Sequence, residues 1–284
     1  MSSPFNDLPL FPEDLPLAPI AIISHHKLLS GDSNEASKVL EAAKSYGFFY
    51  LSLSDTPSGQ TLLAESEQLL ALAKTAFSLP LPTKLQYALE RGVSLFGYKP
   101  AGTVKQTDRS QRPDMTEFFN ISKDVVHGTP GTIPRSYPPL LVEQHRELLQ
   151  SFIKHGHDLG MVVLRVLAEQ LGLDSDAFTQ FNLFDQPSGD HIRLTRKPGT
   201  GLNDGDADSA RIGLPSHTDF GSVTILFNWL GGLQIESRTE GRVGEWMWVK
   251  PMPGHAIINL GELTWDFALN LCLSQLDFVQ LSSL

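Results

Sequence analysis

The sequence predicts an α+β fold: a double-stranded β-helix, or jelly roll, as the core, with an N-terminal helical segment packed against it. Three observations carry this reading. With 284 residues, 41% of them hydrophobic, the chain is long enough to bury one large core. Apolar residues recur at helical spacing as far as Leu171, and beyond residue 180 they fall into short runs separated by Gly and Pro. Helices first and short strands afterwards fit a segregated α+β arrangement with a sandwich or jelly roll, not repeated βαβ units. The expected division is an N-terminal segment of helices and first strands over residues 1–135. A long helix and the jelly roll then follow over 136–284.

The elements follow in order. The first eighteen residues are proline-rich and read as extended. Asp32 and Ser33 can cap a helix whose buried stripe is Ala36, Val39, Leu40 and Ala43, and Gly47 suits its C-terminal stop. Residues 48–53 read as a strand. A second helix runs from Thr61 to Phe77, with Leu62, Leu63, Leu69 and Leu70 at helical spacing, and Leu79, Pro80, Leu81, Pro82 ends it. Signals between Gly92 and Pro139 are mixed and assign no element. From Leu140 to Leu171, the apolar residues Leu148, Phe152, Leu159, Val163, Val166 and Leu167 mark one long helix, with Gly156 or Gly160 as a point of breakage. Strands are expected at His191–Leu194, after the Gly/Asp-rich loop Pro198–Ala210, at Leu233–Ile235, at Trp246–Val249 and within Pro253–Glu262. Residues 180–262 should thus supply most of the jelly roll.

Composition excludes several function classes. A net charge of −10 without a Lys/Arg cluster argues against nucleic acid. No run of eighteen apolar residues exists for a membrane span. The start of the chain, with Pro4, Asp7, Pro9 and Pro12 and no basic residue before Lys27, does not read as a signal peptide. One cysteine, Cys272, suits a reducing compartment. The expectation is a cytoplasmic protein acting on a small molecule.

The chemistry-bearing motif is His217-Thr218-Asp219, followed by Phe220-Gly221-Ser222 and the apolar run Val223–Leu226. Residues i and i+2 of a strand share a face, so one metal ion can touch both side chains. An imidazole and a carboxylate are two of the three ligands in the 2-His-1-carboxylate triad of non-haem Fe(II) oxygenases. Alone, the triplet is a weak signal, because many are surface loops or satisfied polar pairs. Other candidates read as structural. Asp204, Asp206 and Asp208 mimic an EF-hand loop but meet Ser209 and Pro215 where Gly and Glu are needed. His255 reads as packed in a strand, His155 and His157 fall on different helix faces, and Trp246 and Trp248 read as sheet packing.

In combination the motifs are more specific. Pro215-Ser216-His217-Thr218-Asp219-Phe220-Gly221, Gly232-Leu233-Gln234, Trp248-Val249, Pro253-Gly254 and Asn259-Leu260-Gly261 resemble the Fe(II)- and 2-oxoglutarate-dependent dioxygenases of the isopenicillin N synthase type. In the N-terminal half, Ala18–Ile22, Tyr46–Leu51 and Phe77-Ser78-Leu79-Pro80 with Lys84 agree. The resemblance covers roughly residues 15 to 262. It implies a jelly-roll oxidoreductase that binds Fe(II), 2-oxoglutarate and O₂, and hydroxylates, desaturates or cyclises a small molecule, as in secondary metabolism. Catalysis and metal binding would rest on His217 and Asp219.

The chain departs from that family near its end. Members carry a second histidine, then an arginine and a serine that grip 2-oxoglutarate, and here no histidine follows His255. An ungapped continuation sets Asp277 at the distal histidine's position, which would give one imidazole and two carboxylates and favour Mn(II) or Mg(II) over Fe(II). Lys197 stands where relatives often have a co-substrate tyrosine. The alternative expectation is therefore a truncated, catalytically incompetent family member with weak metal binding and an open sheet edge. An unrelated metal-binding β-barrel is the third reading.

Overall fold

The computed structural model describes residues 8–103, 113–197, 212–238, 241–262, 264 and 279–282. In chain order the elements are β1 (Ala21–Ser24), α1 (His25–Leu29), α2 (Ser33–Ser45), β2 (Phe48–Ser52), α3 (Pro57–Ser78), α4 (Leu81–Leu85), β3 (Gly97–Lys99), β4 (Glu117–Ser122) and α5 (Lys123–His127). They continue as α6 (Pro139–Val142), α7 (Arg146–Gln170), β5 (His191–Arg196), β6 (Ile212–His217), β7 (Val223–Leu226), β8 (Leu233–Glu236), β9 (Trp246–Trp248), β10 (His255–Leu260) and β11 (Val279–Ser282). Contacts divide the chain into two compact units, residues 1–63, 158–182 and 215–284 in one and residues 64–157 and 183–214 in the other.

The first unit is the jelly roll. One sheet has the order β1-β2-β10-β7 and the other β6-β11-β8-β9. Alternate residues point to opposite faces of a strand, and here Phe48, Tyr50 and Ile257 from one sheet meet Leu233, Ile235 and Met247 from the other in a single buried cluster. The intervening Phe49 and Leu51 are buried as well, and α2 lies against β1 and β2. Burial on both faces explains why β2 reads as a continuous apolar run and not as an alternation. Asp32 caps α2 by accepting from the Glu35 N–H at 2.9 Å. Gly47, at φ 67°, takes the left-handed conformation that turns the chain directly into β2. Leu164, Leu167 and Ala168 of α7 pack with Ala43 of α2 and Phe178, and Val223 and Leu260 sit against this cluster. The last turns of α7 thus brace β7 and β10.

In the second unit, β3-β4-β5 form an antiparallel sheet. Phe119, Ile121, Ile192 and Leu194 on one face bury against Leu69, Leu72 and Phe77 of α3 and Leu149 and Ile153 of α7.

Two expectations need correction, and one unassigned region gains its elements. Helix α3 begins at Pro57, four residues before Thr61, because Thr56 caps it: the Thr56 Oγ1 accepts from the Gly59 N–H at 3.1 Å, ahead of proline at the first helical position. The helix expected over Leu140–Leu171 is two helices, α6 and α7, separated at 143–145, and α7 runs unbroken through Gly156 and Gly160. The unassigned region contains β3, β4 and α5, whose buried polar residues Glu117, Asn120, Ser122, Lys123 and Asp124 conceal any apolar period. Strand β11 lies between β6 and β8 and pairs antiparallel with β8, Val279 opposite Ile235.

Candidate metal centre

His217 is the last residue of β6, and Asp219 lies two residues on, just past the strand end. Their side chains stand together, with His217 Nε2 3.6 Å from Asp219 Oδ1 and side-chain exposures of 35% and 28%. Two metal–ligand bonds of about 2.0 to 2.2 Å each can span that separation. The residue types and the gap therefore fit one divalent ion.

Asp219 presents only one oxygen to that gap. Its Oδ2 accepts from Thr224 Oγ1 at 2.8 Å and from Asn259 Nδ2 at 2.9 Å. These donors come from neighbouring strands in direct register: Asn259 of β10 is the cross-strand partner of Thr224 of β7. Directly opposed residues project to the same side of a sheet, so the β7–β10 register delivers both donors to one carboxylate oxygen. Burial alone would raise the Asp219 pKa. The neighbouring His217 imidazole and the hydrogen bonds from Asn259 and Thr224 outweigh it and hold the carboxyl well below its ordinary 3.8. These contacts favour the carboxylate form, the one a metal requires.

The loop between β6 and β7 is fastened to the end of β10. The Glu262 N–H donates to the Asp219 carbonyl at 2.8 Å and the Gly261 N–H to the Ser222 carbonyl at 3.1 Å. Thr264 Oγ1 donates to the same Ser222 carbonyl at 2.8 Å, and Thr218 donates to the Glu262 carboxylate. A Cβ at Gly261 would collide with the Gly221 carbonyl oxygen and lie 2.7 Å from that of Asp219. Both are backbone atoms, so position 261 admits only glycine at this spacing.

Thr224, Asn259, Gly261 and Glu262 were not assigned to the site by sequence reasoning. Their one signal was Asn-Leu-Gly closing an apolar strand, which names no partner. Among the described residues no group of three His, Cys, Asp or Glu side chains is placed to hold a metal. Asp277 and the Asp204–Asp208 loop lie outside the described residues. Lys197 is half-buried, and burial lowers its ammonium pKa to about 8. The residues expected to be structural have these neighbours. His255 meets the Tyr50 ring edge-on at 6.3 Å, His155 Nδ1 is 2.9 Å from the Glu65 carboxylate, and His157 stacks edge-on with Phe184 at 5.0 Å. Trp246 and Trp248 sit in β9, opposite Glu236 and Gln234 of β8.

Comparison with known proteins follows this geometry. Residues 19–144 match the family described as non-haem dioxygenase in morphine synthesis, N-terminal. A 2-oxoglutarate-dependent dioxygenase of Aspergillus fumigatus is 30% identical over 273 residues, which cover 88% of this chain and 67% of the relative. The chain belongs to the 2-oxoglutarate-dependent dioxygenases. A further member, from a Dothideomycetidae species, is 32% identical over 237 residues, covering 83% of this chain and 68% of the relative. This dioxygenase thus spans about two thirds of the length of both. The fold agrees with that of a full-length Neurospora crassa protein in complex with alpha-KG, at a TM-score of 0.73 and 23% identity over 96% of this chain and 81% of that one. It agrees also with a 2OG-Fe(II) oxygenase family protein from Caulobacter crescentus, at a TM-score of 0.69 and 24% identity over 93% and 80%. As a family member the chain is an oxidoreductase of the Fe(II), 2-oxoglutarate and O₂ class, built on the jelly roll expected from its sequence.

Proposed function

We propose that His217 and Asp219 hold Fe(II) in this dioxygenase, and that the reaction is oxidation of a C–H bond in a small molecule of secondary metabolism. The observation that carries the reading is the 3.6 Å approach of an imidazole nitrogen to one oxygen of the Asp219 carboxylate. Bound Fe(II) would supply O₂ activation coupled to decarboxylation of 2-oxoglutarate, chemistry that belongs to the cofactor. The chain's own work is placement. Thr224 and Asn259 aim the Asp219 carboxylate, and Gly261, Glu262 and Thr264 fasten the loop that carries Asp219 directly after His217. The N-terminal family segment, residues 1–135, contributes β1 and β2 to the sheet in which β10 lies, and residues 136–284 carry the ligands.

Lys197 is the candidate contact to 2-oxoglutarate, since a half-buried ammonium is a natural partner for a carboxylate. Asp277 is the candidate third ligand. The morphine-synthesis description of the matched family supports a specialised metabolite as substrate. No helix among the described residues is long and apolar enough to cross a membrane, and a cytoplasmic location is part of this reading.

Anaerobic Fe(II) titration of the parent, His217→Ala, Asp219→Ala and Asp277→Ala, with succinate release measured alongside, tests the assignment. Loss of binding in the first two variants is expected. A His217→Ala protein that binds Fe(II) like the parent overturns the site, and an Asp277→Ala protein that does so removes Asp277 from it.

A further inference from the structure

In the β3–β4–β5 sheet, Ile192 and Leu194 of β5 turn into the core, and the alternate residues Arg193 and Thr195 are exposed on the opposite face. Arg193 does not hang free in water. Its Cζ lies 4.7 Å from the centroid of the half-buried Phe118 ring, and its Nε donates to Asn120 Oδ1 at 2.9 Å. Asn120 is the cross-strand partner of Arg193 and is 1% exposed. Its amide nitrogen donates to the Leu95 carbonyl at 2.7 Å, so it cannot turn from the guanidinium without breaking that bond. Ordering a long side chain at a surface costs conformational entropy. A buried asparagine and an aromatic ring committed to ordering this one fit a guanidinium that meets a partner in a set orientation.

The donors define the partner's chemistry. With Nε bonded to Asn120, a ligand meets the guanidinium through its two Nη groups, the planar fork that a carboxylate fills with two parallel hydrogen bonds. Phe118 adds apolar ring surface beside the fork, which favours a flat organic group over a small anion. The local charge has the matching sign. Lys99, although paired with Asp114, stands opposite Phe118 with its ammonium 5.8 Å from the ring, in a chain whose net charge is −10. Lys197, the candidate contact to 2-oxoglutarate, follows Arg193 and Thr195 in the same alternation one residue past the strand, roughly 13 Å from Arg193 along the backbone. Two cations on one side of one segment suit two different carboxylates.

We infer that Arg193 and Phe118 bind the organic substrate of this dioxygenase, and that the substrate is a flat, carboxylate-bearing molecule with its anion on the Arg193 fork and its ring against Phe118. The inference rests on the proposed oxidation of a small molecule, whose substrate class it names.

The test is anaerobic calorimetry on the whole protein, metal-free and with Fe(II), using benzoate, benzamide and acetate as probes. The parent should bind benzoate roughly 10- to 100-fold more tightly than benzamide, and more tightly than acetate. Arg193→Gln should abolish the preference for benzoate over benzamide. Arg193→Lys keeps the charge but neither the fork nor the stack, and should recover only part of it. Phe118→Leu should weaken benzoate by about 3- to 10-fold and leave acetate unchanged. Urea midpoints establish that each variant is folded, and the exposed Arg193 keeps the test decisive should Phe118→Leu fail to fold. A parent that binds benzoate and benzamide alike, or benzoate binding that survives Arg193→Gln, overturns the inference. Displacement of benzoate by an equal concentration of 2-oxoglutarate overturns it also, by giving Arg193 to the co-substrate. In each of these cases retained Fe(II) binding leaves the metal-site reading standing. A parent that binds benzoate through Arg193 but takes up no Fe(II) overturns the metal-site reading, and with it the substrate role of the bound carboxylate.

Discussion

Asp219 and Glu117 are both carboxylates with lowered pKa values, and they have opposite uses. Glu117 of β4 is buried, and both its oxygens are claimed: Oε2 by Lys84 Nζ at 2.8 Å and the Tyr98 hydroxyl at 2.5 Å, Oε1 by Arg196 Nε at 2.7 Å and a second guanidinium nitrogen. Burial pushes its pKa up, and hydrogen bonds from Lys84, Tyr98 and Arg196 bring it below 4.5. Burial, the hydrogen bond to Glu117 and its negative charge drive the Tyr98 phenol far up, so that hydroxyl stays a donor. Asp219 reaches the same ionised state with one oxygen held and the other presented to His217. Full satisfaction makes a structural centre, and partial satisfaction leaves a carboxylate able to act as a ligand.

The comparison breaks or sharpens on substitution. Glu117→Ala leaves the buried Lys84 ammonium unpaired and should cost about 3 to 5 kcal/mol by urea unfolding, with Fe(II) binding of the folded fraction retained. Asp219→Asn should do the reverse, abolishing Fe(II) binding in calorimetry while moving stability by about 1 kcal/mol or less. Equal destabilisation by the two would void the distinction. Gly261→Ala joins the two effects, since its Cβ meets backbone oxygens. A loss of about 1 to 3 kcal/mol should be accompanied by weakened metal binding, and a stable variant with parental affinity would show that the close approach is dispensable.

A smaller effect should follow pH. Glu117 has its folded pKa depressed, so its contribution to stability is fully present above the unfolded value near 4.5 and is lost as pH falls through the folded value. Urea midpoints of Glu117→Gln should therefore be lower than the parent's at pH 7 and should fall less between pH 5 and pH 3. A parallel fall in both proteins would place the acid sensitivity elsewhere. Smallest of all on the fold is Lys197→Ala, expected to change stability by no more than about 0.5 kcal/mol while raising the 2-oxoglutarate concentration needed for half-maximal succinate release.

What could be read from the sequence followed the range of each signal. His217 and Asp219 were legible because a two-residue spacing is local, and β2 and α2 because an apolar run and a capped stripe are local too. Thr224 and Asn259 were not. They meet only through the β7–β10 register, and a slip of one residue would turn both side chains to the other face. Thr56 was missed as a cap because Ser58, Gly59 and Gln60 after it show no apolar period. Region 92–139 stayed opaque because its strands bury ion pairs, which no hydrophobic pattern records.

Strand β2 sits between β1 and β10, with Phe48 opposite Asn259. A ribosome adding about 5 to 20 residues per second needs roughly 10 to 40 seconds to make the intervening stretch. Throughout that interval Phe48, Phe49, Tyr50 and Leu51 have been synthesised without the strand that closes over them. The nascent chain therefore carries an uncovered aromatic segment throughout that interval, a natural substrate for chaperones, and the aspartate that awaits Asn259 can be aimed only after release of that segment into its sheet.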